Sequence, residues 1–187
     1  MRTRSVVVAS AVVAVTGAVL AGVFLRGGPA VGVNSGPLGG GPVSGWLCGS
    51  GRRIVSIAQD DFRNATNSPI RVEKATLVNA RGVKMLGADL VPIVAPSGQY
   101  DLLVTGGPYP PSAAELAAAA DARWGDRRTL PMTMAPDRPG HSWNLVFGLD
   151  RTAATGTADY QLQYQWHGNQ YIWSSPTALK LVAGRCS

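Results

Sequence analysis

His141 and Ser142 stand side by side, a base next to a hydroxyl nucleophile. Neighbouring residues on an extended strand point to opposite faces, so the two cannot act on one substrate atom together. His141 reads instead as a loop residue ahead of a strand around Trp143. Asp60 and Asp61, followed by Asn64 and Asn67, could offer oxygen ligands to calcium, but their spacing departs from that of a calcium loop. Glycoside hydrolysis needs two acids across a cleft, and the only glutamates are Glu73 and Glu115; Asp89, Asp101, Asp126 and Asp150 fall near turns, where aspartate serves the backbone. The two cysteines, Cys48 and Cys186, and the two histidines, His141 and His167, show no metal-ligand spacing. No Gly-x-Ser-x-Gly, His-Glu-x-x-His, Gly-x-x-x-x-Gly-Lys or Ser-x-x-Lys motif occurs. The sequence therefore assigns no catalytic residue, no metal ligand and no cofactor, and a non-catalytic protein is expected.

Binding chemistry has more to work with. Residues 160–167 (YQLQYQWH) alternate strictly, as a strand with one apolar and one polar face does. Gly168-Asn169 is the expected two-residue turn and residues 170–173 the return, which sets Trp166 opposite Tyr171 and Tyr164 opposite Trp173. The aromatic face has two readings. It is the inner face of a sandwich, which the apolar area and the presence of Leu162 favour, or it is a stacking platform for a glycan or small ligand, with Trp124, Trp166, Tyr171 and Trp173 as stacking groups. The opposite face, Gln161, Gln163, Gln165, His167 and Gln170, is a solvated surface and a candidate docking face.

The elements that would position these residues are mainly strands. Residues 143–150 alternate in the same manner, and further strands are expected at 54–58, 70–78, 83–94, 99–105, 129–134 and 178–184. The apolar phase within 70–78 moves from Ile70 and Val72 to Ala75 and Leu77, which predicts a bulge near Lys74. Ser112 and Glu115 form a capping box after Pro110-Pro111, and the alanine-rich run to Trp124 predicts a helix of about three turns with Leu116, Ala120 and Trp124 on one side. Seven or more short strands with one inserted helix indicate an antiparallel β-sandwich.

The segment 62–72 (FRNATNSPIRV), the late Trp143 strand and the final hairpin with Tyr164 and Gly168 resemble the immunoglobulin-like domains of membrane-anchored actinobacterial proteins. The resemblance covers most of residues 46–187 and implies an immunoglobulin-like sandwich as the ectodomain. Ala158-Asp159-Tyr160 also resembles part of a tyrosine corner, although Leu162 stands where an antibody domain has its cysteine.

Compartment follows from the N-terminus. Residues 5–25 are uncharged and long enough, at about 1.5 Å per residue, to cross a hydrocarbon core. Arg2 and Arg4 place the preceding end in the cytoplasm. Residues 1–26 are thus expected to be a signal anchor, with cleavage near Val19-Leu20-Ala21 and secretion as the alternative. Residues 27–45, with eight glycines and three prolines, read as a tether, and residues 46–187 as one extracytoplasmic domain. Cys48 and Cys186, at the two ends of that domain, are expected to pair in an oxidising compartment. Arginine outnumbers lysine 14 to 3, a composition of actinobacterial type, and the basic residues are scattered, which gives no warrant for nucleic-acid binding. The expectation is a membrane-tethered interaction or scaffolding module whose partner is another envelope protein. Glycan binding, and a hydrolase with a site assembled only by the fold, are the alternatives.

Overall fold

The computed structural model describes residues 30–40, 45–95, 106–139 and 141–186. The strands are β1 (Ala30–Val33), β2 (Leu38–Gly40), β3 (Gly45–Ser50), β4 (Ile54–Asn64), β5 (Ile70–Arg81), β6 (Val83–Val94), β7 (Arg128–Thr129), β8 (Met132–Met134), β9 (His141–Arg151), β10 (Thr155–Trp166), β11 (Asn169–Ser174) and β12 (Thr177–Val182), with one α-helix, α1 (Ala113–Ala118). They form two sheets. The first runs β1-β11-β10-β12-β3, with β5 on the other side of β10 and β8 beside β5; the second runs β2-β4-β9-β6-β7.

Alternation decides which residues lie between the sheets. Along β10, Tyr160, Leu162 and Tyr164 are buried while Gln161, Gln163 and Gln165 are half-exposed. They meet Phe62 of β4, Leu145, Phe147 and Leu149 of β9 and Leu90 of β6 in one core, where Phe147 packs edge-on to Tyr160 at 4.9 Å and Phe62 edge-on to Trp173 at 4.7 Å. Each fully buried large apolar side chain stabilises the fold by about 1.5–3 kcal/mol. The phase change expected near Lys74 is a bulge: Gln163 pairs with Lys74 and Tyr164 with Val72, so Glu73 is the extra residue.

β3 and the segment after β12 are clamped together. Cys48 of β3 and Cys186 form a disulfide with Cα atoms 6.0 Å apart, and β3 runs parallel to β12. β1 is also parallel to its neighbour β11, so the sandwich is mixed at this edge rather than purely antiparallel. Parallel neighbours need a long connection. Here it is the whole body of the domain that separates each pair in sequence.

Four further expectations need correction. The final hairpin turns at His167-Gly168, not Gly168-Asn169, so Tyr164 pairs with Tyr171 and Trp166 with Asn169. A tight hairpin wants positive φ at both central residues, and His167 (49°) and Gly168 (79°) supply it. The shift is two residues, so each side chain keeps its face.

Residues 30–40, placed in the tether, carry β1 and β2 instead. Backbone pairing needs no large side chain, Leu38 supplies the apolar anchor at 6% exposure, and Gly36 lies so close to Tyr164 and Tyr171 that a Cβ would overlap both.

α1 is shorter than expected. It keeps its capping box, with Ser112 and Glu115 bonding reciprocally. After Ala118 the chain bonds to the end of β6 (Val94 N–H to Asp121, Arg123 N–H to Pro92), and a 3-10 turn, Trp124–Asp126, follows. Leu116 and Trp124 do pack inward, but Ala119 and Ala122 are the buried alanines and Ala120 is exposed.

The single strand expected at 129–134 is β7 in one sheet and β8 in the other, because Pro131 lacks an N–H and interrupts the ladder. Among the described residues no helix is long and apolar enough to cross a membrane. The expected span at 5–25 and strand at 99–105 lie outside those residues.

Candidate functional site

The two outer faces differ. On the second sheet, Ala58, Val91 and Val146 are covered by Ala119 and Ala122 with Leu116 and Trp124. Tyr109 packs against the same sheet, where Gly148 leaves room for its ring and a Cβ would overlap it. The outer face of the first sheet has no such cover among the described residues.

That open face is built around β10. Gln161 lies between Thr76 and Ser174, Gln163 between Lys74 and Ile172, and Gln165 between Arg71 and Gln170. Gln161, Gln163, Gln165 and Gln170 are all half-exposed. Arg71 pairs with Glu73 at 2.7 Å, and Asn79 donates to Asp159 at 2.8 Å. Near the far end, Asn79, Arg81, Thr157, Asp159 and Ala178 line a shallow groove of about 430 Å³. The glutamines thus stand in a polar ladder with both donors and acceptors to present. His167 does not belong to it. It sits in the hairpin turn, exposed, with its ring directed to Ser68.

The four candidate stacking groups are divided by the fold. Tyr171 (7% exposed) and Trp173 (6%) are core residues, Tyr171 stacked on Tyr164 at 5.3 Å. A ligand in solvent cannot reach their ring faces. Trp166 is half-buried, stacked on His167 at 4.2 Å, and its indole N–H donates to Ser68 Oγ at 2.8 Å. Trp124 has the Arg127 guanidinium over its ring at 4.7 Å and Tyr109 edge-on at 6.4 Å. Both half-exposed tryptophans therefore already have ring partners from within the chain.

The fold also brings together groups that the sequence does not associate. Ser68 Oγ and His167 Nε2 are 2.9 Å apart, within nucleophile–base distance. A working pair needs a third group to orient the imidazole and donors for the developing oxyanion. Among the described residues no carboxyl group bonds His167, and the donor-only Trp166 indole occupies Ser68 Oγ. The cluster ties the β4–β5 turn to the β10–β11 turn. Asn64 braces the same turn, donating to the carbonyls of Ser68 (2.8 Å) and Met134 (3.0 Å) and accepting from Thr66, so its side chain serves the backbone rather than a metal. Among the described residues no three His, Cys, Asp or Glu side chains converge as a metal centre would. Glu73 and Glu115 are engaged with Arg71 and Ser112 respectively.

Tyr109 and Asp89 form the second unforeseen pair. The phenol donates to Asp89 Oδ2 at 2.9 Å, and Asp89 is 4% exposed. Burial first, then the hydrogen bond and charge of Asp89, push the Tyr109 phenol up to about 12, with Arg127 opposing. Both contacts span 20 or more positions in sequence, and no local motif marks them.

No protein-family model matches the chain, and no curated protein does. Among solved structures it is similar to the Vibrio cholerae VesB protease, at 12% identity and a TM-score of 0.36, over 78% of this chain and 32% of that one. The chain thus spans about a third of that protein's length. A similarity of this degree carries no argument about fold or activity.

Proposed function

We propose that this protein is a membrane-tethered, extracytoplasmic interaction module of a bacterial envelope, in which an anchor at residues 1–26 holds an immunoglobulin-like sandwich and another envelope protein docks on the open face of the first sheet. The observation that carries the reading is the asymmetry of the faces. The second sheet is covered by Leu116, Ala119, Ala122, Trp124 and Tyr109, whereas Gln161, Gln163, Gln165 and Gln170 stand on a sheet face without such cover among the described residues. A half-exposed glutamine ladder suits a polar protein surface better than a lipid or an apolar ligand. The Cys48–Cys186 disulfide supports a location outside the cytoplasm. With residues 30–40 in the sheets, the tether of the sequence reading contracts and the ectodomain begins close to the anchor.

The test is crosslinking in native membranes, capture of the tagged full chain and mass spectrometry, with an anchor-only fusion as control. The wild type is expected to capture a reproducible envelope protein that the anchor alone does not. A folded Gln163→Lys, Gln165→Lys double variant should lose it. Undiminished capture by that variant removes the glutamine face from the proposal.

A further inference from the structure

The edge of the second sheet is left half-made. β6 pairs with β9 along its length, but on its other side β7 reaches only Asp89 and Leu90. β7 would continue along β6 toward Val83, yet the chain departs at Leu130-Pro131 and crosses to the first sheet as β8. Residues 83–88 of β6 therefore have a strand on one side only among the described residues. The facing strand β5 is also half-covered, since β8 pairs only with Ile70, Arg71 and Val72.

Between these two open edges lies a groove of about 470 Å³, walled by Glu73, Lys74 and Ala75 on one side and residues 85–89 on the other, with Thr129 and Leu130 closing one end. The ladder slips at Leu86, where Met85 pairs with Leu149 and Gly87 with Gly148, so Leu86 is a bulge residue. Bulges re-aim side chains. Met85 is 37% and Leu86 50% exposed, making them two adjacent members of the small set of exposed large apolar residues among the described residues. The charge of the rim is lopsided. Glu73 is engaged by Arg71 and Asp89 by Tyr109, while Lys74 of the groove wall is exposed, and so is Lys84, one residue before Met85 on β6 and opposite Asp150 in the ladder.

We infer that the open edge of β6 takes up an extended segment of a partner protein as an added strand in the lane that β7 abandons. The backbone ladder supplies the pairing, Met85 and Leu86 receive an apolar side chain, and Lys74 and Lys84 face acidic residues. The preferred occupant is a strand alternating apolar and acidic residues, since an added strand places alternate side chains toward the groove and toward its rim. Lys84 at the open edge disfavours pairing of two copies of this chain through the same edge, because like charges would be brought together. This inference deepens the interaction reading and rests on it for the existence of a natural partner, but its test uses a synthetic strand and needs none.

A fluorescent peptide of about six residues, alternating valine and glutamate, is titrated against the full chain and followed by anisotropy. Saturable binding is expected. It should weaken at least about tenfold with Leu86→Asp, with a valine–lysine peptide, and with a peptide N-methylated along its pairing edge. Lys180→Ala, on β12 and outside the groove, should leave it unchanged. Thermal melts of each variant confirm that the fold is retained. Absence of binding, or binding indifferent to both Leu86→Asp and N-methylation, overturns the inference while leaving the glutamine-face proposal to its own test. Self-association abolished by Leu86→Asp, with no peptide binding, also overturns it and assigns the edge to a second copy.

Discussion

Replacing Tyr109 by phenylalanine keeps a ring over Gly148 and removes one hydroxyl. That hydroxyl donates to Asp89 Oδ2 at 2.9 Å, and Asp89 at 4% exposure has little access to a substitute from solvent. A hydrogen bond to a charged acceptor contributes about 1.5–3 kcal/mol; because Tyr109 is itself partly exposed, the lower end, about 1.5 kcal/mol, is the expected loss near neutral pH. In a domain of this size that lowers the melting midpoint by roughly 3–6 °C. The pH dependence is the sharper test. The phenol is raised to about 12 in the fold, by burial and then by Asp89, and titrates near 10 when unfolded. As pH rises from about 10 to about 12, the unfolded chain releases this proton and the folded chain retains it, so the contribution is fully present below about 10 and is lost through about 12. Phenylalanine has no proton to release. The stability difference between wild type and Tyr109→Phe, from urea unfolding at a series of pH values, should therefore be greatest at about pH 7–9 and shrink toward pH 12. Subtracting the variant cancels the other tyrosines, including Tyr164, whose phenol burial also raises. A difference below about 0.5 kcal/mol near neutrality, or one that stays constant between about pH 10 and 12, would refute the buried Tyr109–Asp89 pair as the tie between the covering segment and the sheet.

The clamp and the docked N-terminal strands give two further expectations. Cys48 and Cys186 are 138 positions apart, and closing a loop of that length is worth at most about 5 kcal/mol in the chain-entropy model; the double serine variant should lose about 2–5 kcal/mol by calorimetry. A loss under about 1 kcal/mol would mean that β3 pairing with β12 holds the ends without the bond. Gly36→Ala should destabilise by about 1–3 kcal/mol through overlap with Tyr164 and Tyr171, whereas Gly125→Ala, which meets nothing within 4 Å, should leave the thermal midpoint unchanged. Equal midpoints for both variants would return residues 30–40 to a tether.

Much of the architecture was legible because strand patterning is a property of residues two apart. The alternation of Tyr160, Leu162 and Tyr164 against Gln161, Gln163 and Gln165 identified both faces of β10, and the phase slip around Lys74 identified the bulge in β5. Cysteine parity and placement likewise led to the Cys48–Cys186 bond. Register was less legible. The hairpin at His167-Gly168 depended on a histidine adopting positive φ, which is uncommon for any residue but glycine even though histidine is among those that tolerate it. The glycine-rich stretch 30–40 has the composition of a linker, and nothing local shows that a backbone ladder and the buried Leu38 hold it in the sheets.

The sequence by itself therefore determined a mainly β protein, the inward and outward faces of its clearest strands and the staple between its ends, since each follows from local periodicity or from counting cysteines. Only the tertiary structure decided which outer face is covered, that Tyr171 and Trp173 are withdrawn from solvent, that Ser68 meets His167 and Tyr109 meets Asp89, and that β7 leaves the edge of β6 unfinished. Those outcomes depend on sheet order and on contacts across 20 to 99 positions of chain, distances over which side-chain periodicity carries no information.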